Sequence, residues 1–212
     1  MDVFLDLDGT LTDNRLGIVR SVRHALSEMG AETPPEEALL SWIGPPLQTS
    51  FLEHFRDQVR AGHAVTLYRA RYREIGLFEN AVYPGVPRMM DTLRAAGHRL
   101  WLATSKPHVF ARRIVAHFDL EPRLDGVFGA ELDGTRGDKT DLLTHAKGQT
   151  GAETGVMVGD RRYDMVGAHN TGLTAIGALW GYGSRGELRD AGADCLAASA
   201  SDLPDIIKEL VP

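Results

Sequence analysis

Short apolar runs alternate with helix-like patterns along the chain from about residue 83 onward. Strands are predicted at residues 99–103, 127–130, 155–158 and 174–177, and helices near residues 86–96, 108–117, 139–148, 162–170 and 202–210. Strands that are apolar along their whole length are typical of a parallel sheet covered by helices on both faces. The pattern therefore predicts an α/β protein with a Rossmann-like parallel sheet core.

A further apolar strand is predicted at residues 2–5, far from the other strands in sequence. The next predicted strand begins about ninety residues later, although a parallel crossover needs only about a dozen residues or slightly more. The intervening segment has apolar residues at helical spacing and no convincing strand. Helices are expected there near residues 16–29, 35–43, 46–60 and 62–75. We therefore predict a core of residues 1–13 and 83–212 with an inserted all-helical cap domain of residues 14–82.

The overall composition is that of a soluble globular protein, with 43% apolar and 25% charged residues. No apolar run approaches the roughly 20 residues that span a bilayer, and no signal-peptide pattern is present at the start, so we expect no membrane partner. The single cysteine, Cys195, cannot form an internal disulfide, which fits a cytoplasmic location. The net charge of −6 argues against a nucleic-acid polymer as partner and leaves small phosphorylated metabolites open. Monomer and homodimer are both compatible with the sequence.

The strongest candidate for chemistry follows the first predicted strand, where Asp6 and Asp8 stand two residues apart. Residues at this spacing share one face if the strand continues, and Gly9 then gives the backbone freedom to turn. In an open parallel sheet, ligands bind outside the carboxyl ends of the strands. Two such acids can attract a cation and can divide nucleophilic and proton-transfer roles. The alternative is an acidic surface turn.

Three more groups of polar residues follow predicted strands or begin predicted helices. Thr104 and Ser105 come after a strand and can donate to phosphate oxygens, but taken alone they are better explained by helix capping. Lys139 stands at a helix start, which favours acids, so it indicates either a bound anion or an ordinary solvated lysine. Asp160 and Asp164 offer the hard oxygen ligands that suit Mg²⁺, with helix capping as the alternative for Asp164.

Taken in order, these four groups resemble the motifs of the haloacid-dehalogenase-like hydrolase superfamily. The helical segment after the first motif is similar to the capped subgroup that includes phosphoglycolate phosphatases and related nucleotidases. Residues 83–86 and 179–183 also look like that subgroup, so the resemblance covers essentially the whole chain.

The resemblance implies a nucleophile and a metal site. Asp6 would attack phosphorus and form an aspartyl-phosphate, while Asp8 would protonate the leaving oxygen and then activate water. Mg²⁺ would be held by the Asp6 carboxylate, the Asp8 backbone carbonyl and Asp160. Asp164 would bind a metal-bound water or orient another ligand.

The resemblance also implies a phosphate-binding site. Thr104 and Lys139 would hold the phosphoryl oxygens, with Ser105 and the backbone of Gly9 and Thr10 nearby.

The expected activity is hydrolysis of a small phosphate monoester, such as phosphoglycolate or a nucleoside monophosphate. An acid at position 8 favours phosphate esters, because relatives that break carbon–halogen or carbon–phosphorus bonds lack one there. A phosphomutase keeps both acids and stays open as an alternative. So does a regulator that binds phosphate without catalysis, although all the key residues for turnover are present.

Overall fold

Six parallel strands form the central sheet of this computed structural model, which describes residues 1–210. In chain order the strands are β1 (Asp2–Leu5), β2 (Thr12–Asp13), β3 (Ala81–Val82), β4 (Arg99–Pro107), β5 (Gly126–Ala130), β6 (Gly155–Gly159), β7 (Thr174–Ala178) and β8 (Cys195–Ala197). The sheet has the spatial order β5-β4-β1-β6-β7-β8. The short strands β2 and β3 form a separate two-stranded sheet.

Helices account for most of the remaining chain within residues 1–210. They are α1 (Arg15–Glu28), α2 (Glu36–Leu40), α3 (Leu47–Phe55), α4 (Gln58–Arg71), α5 (Val86–Ala95), α6 (His108–His117), α7 (Lys139–Thr150), α8 (Arg162–Asn170), α9 (Arg185–Asp190) and α10 (Leu203–Leu210). Among these helices, none is both long and apolar enough to cross a lipid bilayer.

The chain divides into two compact units, one built on the central sheet and one made of helices. The first comprises residues 1–13 together with the chain from residue 82 onward, and the second comprises residues 14–81. The strand β3, which the sequence pattern did not predict, lies where the chain passes from the second unit back to the first.

Burial on both faces explains why the central strands are so uniformly apolar. Strand β1 lies between β4 and β6 and pairs with both in parallel. Phe4 of β1 and Met157 of β6 pack in one buried cluster with Leu142 of α7 and Met165 of α8. Helices α5, α6 and α10 also contact the sheet. The predicted α/β fold with a Rossmann-like parallel core is confirmed.

The end of β4 differs from the sequence-based prediction. The strand was predicted to end at Ala103, but it continues to Pro107 through an irregularity. Its pairing with β5 shifts register between Thr104 and Pro107, as in a β-bulge, so the strand resumes after extra residues. Gly129 of β5 permits this path, because a Cβ there would lie 2.8 Å from the Lys106 carbonyl oxygen.

The helical unit also differs from the prediction in its boundaries. A single helix was predicted over residues 46–60, and this prediction is wrong. Helix α3 ends before Arg56, which has a left-handed conformation with φ of 51°, and α4 begins after Asp57. The Asp57 carboxylate accepts hydrogen bonds from the backbone amides of Val59 and Arg60. The chain breaks here because Asp57 caps a new helix, a local signal that apolar spacing does not report.

Two further helices of this unit begin or end at residues other than those predicted. The helix expected at residues 35–43 is the shorter α2. The helix expected at 62–75 begins earlier, as α4, and continues as a π-helical turn at Tyr72–Gly76.

Candidate active site

The first loop of the site leaves the carboxyl end of β1. The backbone N–H of Asp6 donates to the Val158 carbonyl of β6 at 2.9 Å, so Asp6 still follows the sheet. The chain then turns, and Gly9 has a φ of +82°, which favours glycine. A Cβ on Gly9 would lie 2.2 Å from the Asp160 Oδ2 atom. The glycine therefore allows two strand-end loops to meet.

Three carboxylates lie together at this edge of the sheet. Ligand oxygens of Asp6, Asp160 and Asp164 all lie within 4.8 Å of one another. Asp160 follows β6 directly, and Asp164 lies in the first turn of α8. All three side chains are buried, with Asp6 the most exposed of them at 8%. These are three of the four residues that the sequence predicted as metal ligands.

One lysine reaches into this carboxylate cluster. Lys139, the first residue of α7, places its Nζ atom 3.0 Å from Asp6 Oδ1 and 2.7 Å from Asp164 Oδ1. The same Nζ donates to the Ala103 carbonyl at 3.0 Å. Gly167 of α8 makes room for the side chain, because a Cβ there would lie 2.7 Å from Lys139 Cγ. The position of this lysine at a helix start is explained by the acids that it contacts.

Charges in the cluster are strongly coupled. Burial alone would lower the pKa of Lys139, but Asp164 and Asp6 raise it above its usual range. Burial, followed by the charges of Asp164 and Asp6, raises the pKa of Asp160 well above its usual value. Burial also raises the pKa of Asp164, although Lys139 opposes this. Three carboxylates share one ammonium, so the cluster has a negative excess that a divalent cation would offset.

The donor atoms of the cluster fit a hard cation. Within residues 1–210, the buried Oδ1 atoms of Asp6 and Asp164 accept no well-aligned hydrogen bond beyond their ion pairs with Lys139. Carboxylate oxygens are the ligands that Mg²⁺ prefers. Both oxygens of Asp160 are oriented by neighbours, since Tyr182 N–H donates to Oδ2 at 2.7 Å and the Thr10 hydroxyl lies 3.4 Å from Oδ1.

Asp8, the other predicted acid of the first loop, lies outside the carboxylate cluster. Strand β1 ends at Leu5, so Asp6 and Asp8 do not continue one strand face. The Asp8 Oδ2 atom lies 2.5 Å from Nζ of Lys106 instead. The predicted role of the Asp8 backbone carbonyl as a metal ligand stays a prediction.

Of the predicted phosphate-binding residues, Gly9 and Thr10 lie on the first loop, whereas Thr104 and Ser105 lie in the last part of β4. Thr104 is buried near the end of β4, and Ser105 beside it is half-buried. The N–H of Gly9 donates to the Thr12 carbonyl at 2.8 Å, and the N–H of Thr10 donates to the Leu7 carbonyl at 3.3 Å. Phosphate binding by these groups stays a prediction.

A loop after β7 also contributes to the site, and the sequence reasoning assigned it no role there. The Trp180 side chain donates to the Thr10 carbonyl at 3.0 Å. The Tyr182 hydroxyl donates to Asp13 at 3.0 Å, while its backbone holds Asp160. Burial, followed by the charge of Asp8, raises the pKa of Tyr182 above its usual range. The position of this loop after a parallel strand was the signal that could have indicated it.

Lys106 is another residue whose contact the sequence did not indicate. It lies three residues after the predicted strand end at Ala103, and the sequence pattern gives it no specific role. In the structure it is nearly buried and forms the ion pair with Asp8 described above. Its place two residues after Thr104 was a weak signal, because the apolar pattern does not show the register shift in which Lys106 lies.

Comparisons with known proteins extend over most of the chain. Residues 3–178 match a family model described as haloacid dehalogenase-like hydrolase. A 5'-nucleotidase from Pseudomonas aeruginosa is 45% identical over 191 residues, which cover 89% of this chain and 86% of that protein. The tyrosine-protein kinase PtkA from Mycobacterium tuberculosis is 39% identical over 210 residues, covering 98% of this chain and 72% of the kinase. A crystal structure of a predicted phosphatase from Clostridium acetobutylicum has a TM-score of 0.94 and 38% identity, with 98% of both chains covered.

Proposed function

The chain belongs to the haloacid dehalogenase-like hydrolase family and is a phosphoric monoester hydrolase, and we propose that it acts through a phosphorylated Asp6 with Mg²⁺ bound. The observation that carries this proposal is the buried cluster of Asp6, Asp160 and Asp164 around Lys139. Such a cluster lowers the free energy of unfolding unless a cation or substrate binds to it, because like charges repel strongly when buried.

The metal would be held by the carboxylates of Asp6 and Asp160, with Asp164 orienting the ligand set. The negative excess of the cluster supports this assignment, and so do the buried Oδ1 atoms of Asp6 and Asp164, which pair with Lys139 and can also bind a cation. Bound Mg²⁺ would offset negative charge on the phosphoryl oxygens, which is the main electrostatic requirement of phosphoryl transfer.

Asp6 would be the nucleophile. One of its carboxylate oxygens attacks phosphorus as the bond to the leaving oxygen breaks, and Asp8 gives that oxygen its proton. Asp8 then takes a proton from water, which attacks phosphorus, releases inorganic phosphate and restores the Asp6 carboxylate. The separation of Asp8 from the carboxylate cluster supports this division, because one acid is needed as nucleophile and another for proton transfer.

The phosphoryl oxygens would be bound by Lys139 and the Thr104 hydroxyl, with Ser105 and the amides of Gly9 and Thr10 nearby. Lys139 can offset charge on both Asp6 and the substrate because its ammonium already lies between two carboxylates. We propose small phosphorylated metabolites as substrates, either phosphoglycolate-like or nucleoside monophosphates.

We also propose that residues 14–82 act as a cap domain that selects among these esters. The helical unit of residues 14–81, which the chain enters and leaves once, supports this proposal.

Phosphate release from a panel of monoesters tests the proposed function. The panel contains phosphoglycolate, nucleoside monophosphates, sugar phosphates and p-nitrophenyl phosphate, each assayed with Mg²⁺ and with EDTA. We expect release that needs Mg²⁺ and that Asp6→Asn lowers by several orders of magnitude. The matched control is Asp190→Asn at an exposed helical position, which should keep wild-type rates.

Two outcomes would contradict this function. Near wild-type release by Asp6→Asn would exclude Asp6 as nucleophile. Absence of release from every ester, together with transfer of phosphate from ATP to protein tyrosine or between positions of a sugar phosphate, would assign a kinase or a mutase instead.

A further inference from the structure

Lys106 lies at the irregular end of β4, where the lysine is nearly buried. The pairing of β4 with β5 shifts register between Thr104 and Pro107, so Lys106 lies within the irregular part of the strand. The Lys106 amide lies 3.3 Å from the Thr104 hydroxyl oxygen, and Gly129 leaves space for its carbonyl. Irregularities of this kind are common beside active sites, and here the irregular segment carries a positively charged side chain.

The ammonium group of Lys106 contacts Asp8. Its Nζ atom lies 2.5 Å from Asp8 Oδ2, and the two side chains are only 6% and 15% exposed. Burying a lysine costs free energy, so a buried ion pair is weak evidence of a stabilising role. An apolar residue would fill this space at lower cost, which indicates that the charge has another purpose.

The two lysines of the site contact different acids. Lys139 pairs with Asp6 and Asp164, whereas Lys106 pairs with Asp8. The Asp8 side chain has two rotatable torsions, χ1 and χ2, and an ion pair on one of its oxygens restricts both of them. The other oxygen, Oδ1 of Asp8, then has a defined direction.

We propose that Lys106 is a positioning residue that orients the Asp8 carboxyl group for protonation of the leaving oxygen. This inference rests on the proposed function, because it needs the reaction in which Asp8 transfers a proton. Lys106 acts through Asp8 and forms no bond to phosphorus.

This role has a consequence that a purely structural lysine would not have. Proton donation matters greatly for an alkyl leaving group, whose alkoxide is a strong base, and little for p-nitrophenolate, which leaves without a proton. Loss of the positioning residue should therefore lower kcat/KM for alkyl esters far more than for p-nitrophenyl phosphate. The value of kcat/KM is the right quantity, because it reports the steps up to release of the first product.

The test measures kcat/KM of Lys106→Met and Lys106→Arg with the best alkyl ester of the panel and with p-nitrophenyl phosphate. We expect Lys106→Met to lose at least tenfold more activity with the alkyl ester than with the aryl ester. We expect Lys106→Arg to recover part of that loss, because it keeps the ion pair. Lys147→Met is the matched control. Lys147 lies in the last turn of α7 and donates to the Thr171 carbonyl, so its replacement should have equal, small effects on both esters.

A double-mutant cycle identifies Asp8 as the group through which Lys106 acts. In an Asp8→Asn background, we expect Lys106→Met to change kcat/KM for the alkyl ester less than twofold. Equal losses with both esters, or the full loss repeated in the Asp8→Asn background, would overturn the inference while wild-type turnover still supported the proposed function. Thermal unfolding of each variant verifies folding, and Lys106→Arg keeps the test decisive if Lys106→Met does not fold.

Discussion

At the scale of single residues, the site depends on a glycine that lacks a side chain as well as on the charged side chains. Gly9 approaches Asp160 so closely that any side chain would meet its carboxylate. Asp160 is held from the other side by the Tyr182 amide, so it cannot move away without losing that bond. The acidic cluster can therefore form only where the first loop has glycine.

Gly9→Ala should remove most of the Mg²⁺-dependent phosphate release. The new methyl group would displace the Asp160 carboxylate, and the φ of +82° would add strain. We expect the free energy of unfolding to fall by about 1–3 kcal/mol. Steady-state kinetics and chemical denaturation measure the two effects.

Gly97→Ala is the matched control for that change. Gly97 has a nearly identical φ of +84°, but a Cβ there would meet nothing within 4 Å. It should lose about 1 kcal/mol of stability and keep its activity. Equal loss of activity in both variants would show that displacement of Asp160 is not the cause.

At the scale of elements, local capping decides where the helices of the second unit begin. Arg56 leaves the helical conformation, and Asp57 then starts α4 by accepting two backbone hydrogen bonds. The apolar pattern is continuous through this point, which is why it predicted one helix over residues 46–60.

Asp57→Ala should destabilise the protein by about 1 kcal/mol, the usual value of a helix cap. The side chain is exposed, so the loss would come from the two unbonded amides of α4 and not from packing. Thermal unfolding followed by circular dichroism measures the change. Asp57→Asn keeps a capping oxygen and should lose much less, and an equal loss in both variants would contradict the capping role.

At the scale of the whole molecule, the buried negative excess predicts that a bound cation stabilises the fold. If Mg²⁺ binds the folded site, it should raise the free energy of unfolding by about 2.7 kcal/mol at a hundredfold excess over its Kd. For a chain of this length that corresponds to an unfolding midpoint roughly 5–10 °C higher. Thermal unfolding with Mg²⁺ and with EDTA measures the shift without any substrate.

Asp160→Asn provides the control for this prediction. It removes the negative charge of one carboxylate in the cluster and should abolish most of the Mg²⁺-dependent rise in the unfolding midpoint. Asp190→Asn at the surface should keep that rise. A shift of equal size in both variants would place the cation elsewhere.

Much of this architecture was available from local patterns. The family resemblance implied that Asp6, Asp160 and Asp164 share one metal site. From the residues alone, apolar strands that alternate with helix-like patterns predicted the α/β sheet, and acids that follow predicted strands indicated these three residues as candidates for the site. Both predictions depend on properties of nearby residues and on one general rule, that parallel strands end at the same edge of a sheet.

What the sequence determined by itself was therefore the order of the elements and the kinds of chemical groups at their ends. Only the tertiary structure decided which lysine contacts which acid. Lys139 reaches Asp6 from a helix that begins more than a hundred residues later, and Lys106 reaches Asp8 from the irregular end of β4. Side-chain pairing of this kind depends on distances between segments far apart in sequence, and no local period of apolar residues contains that information.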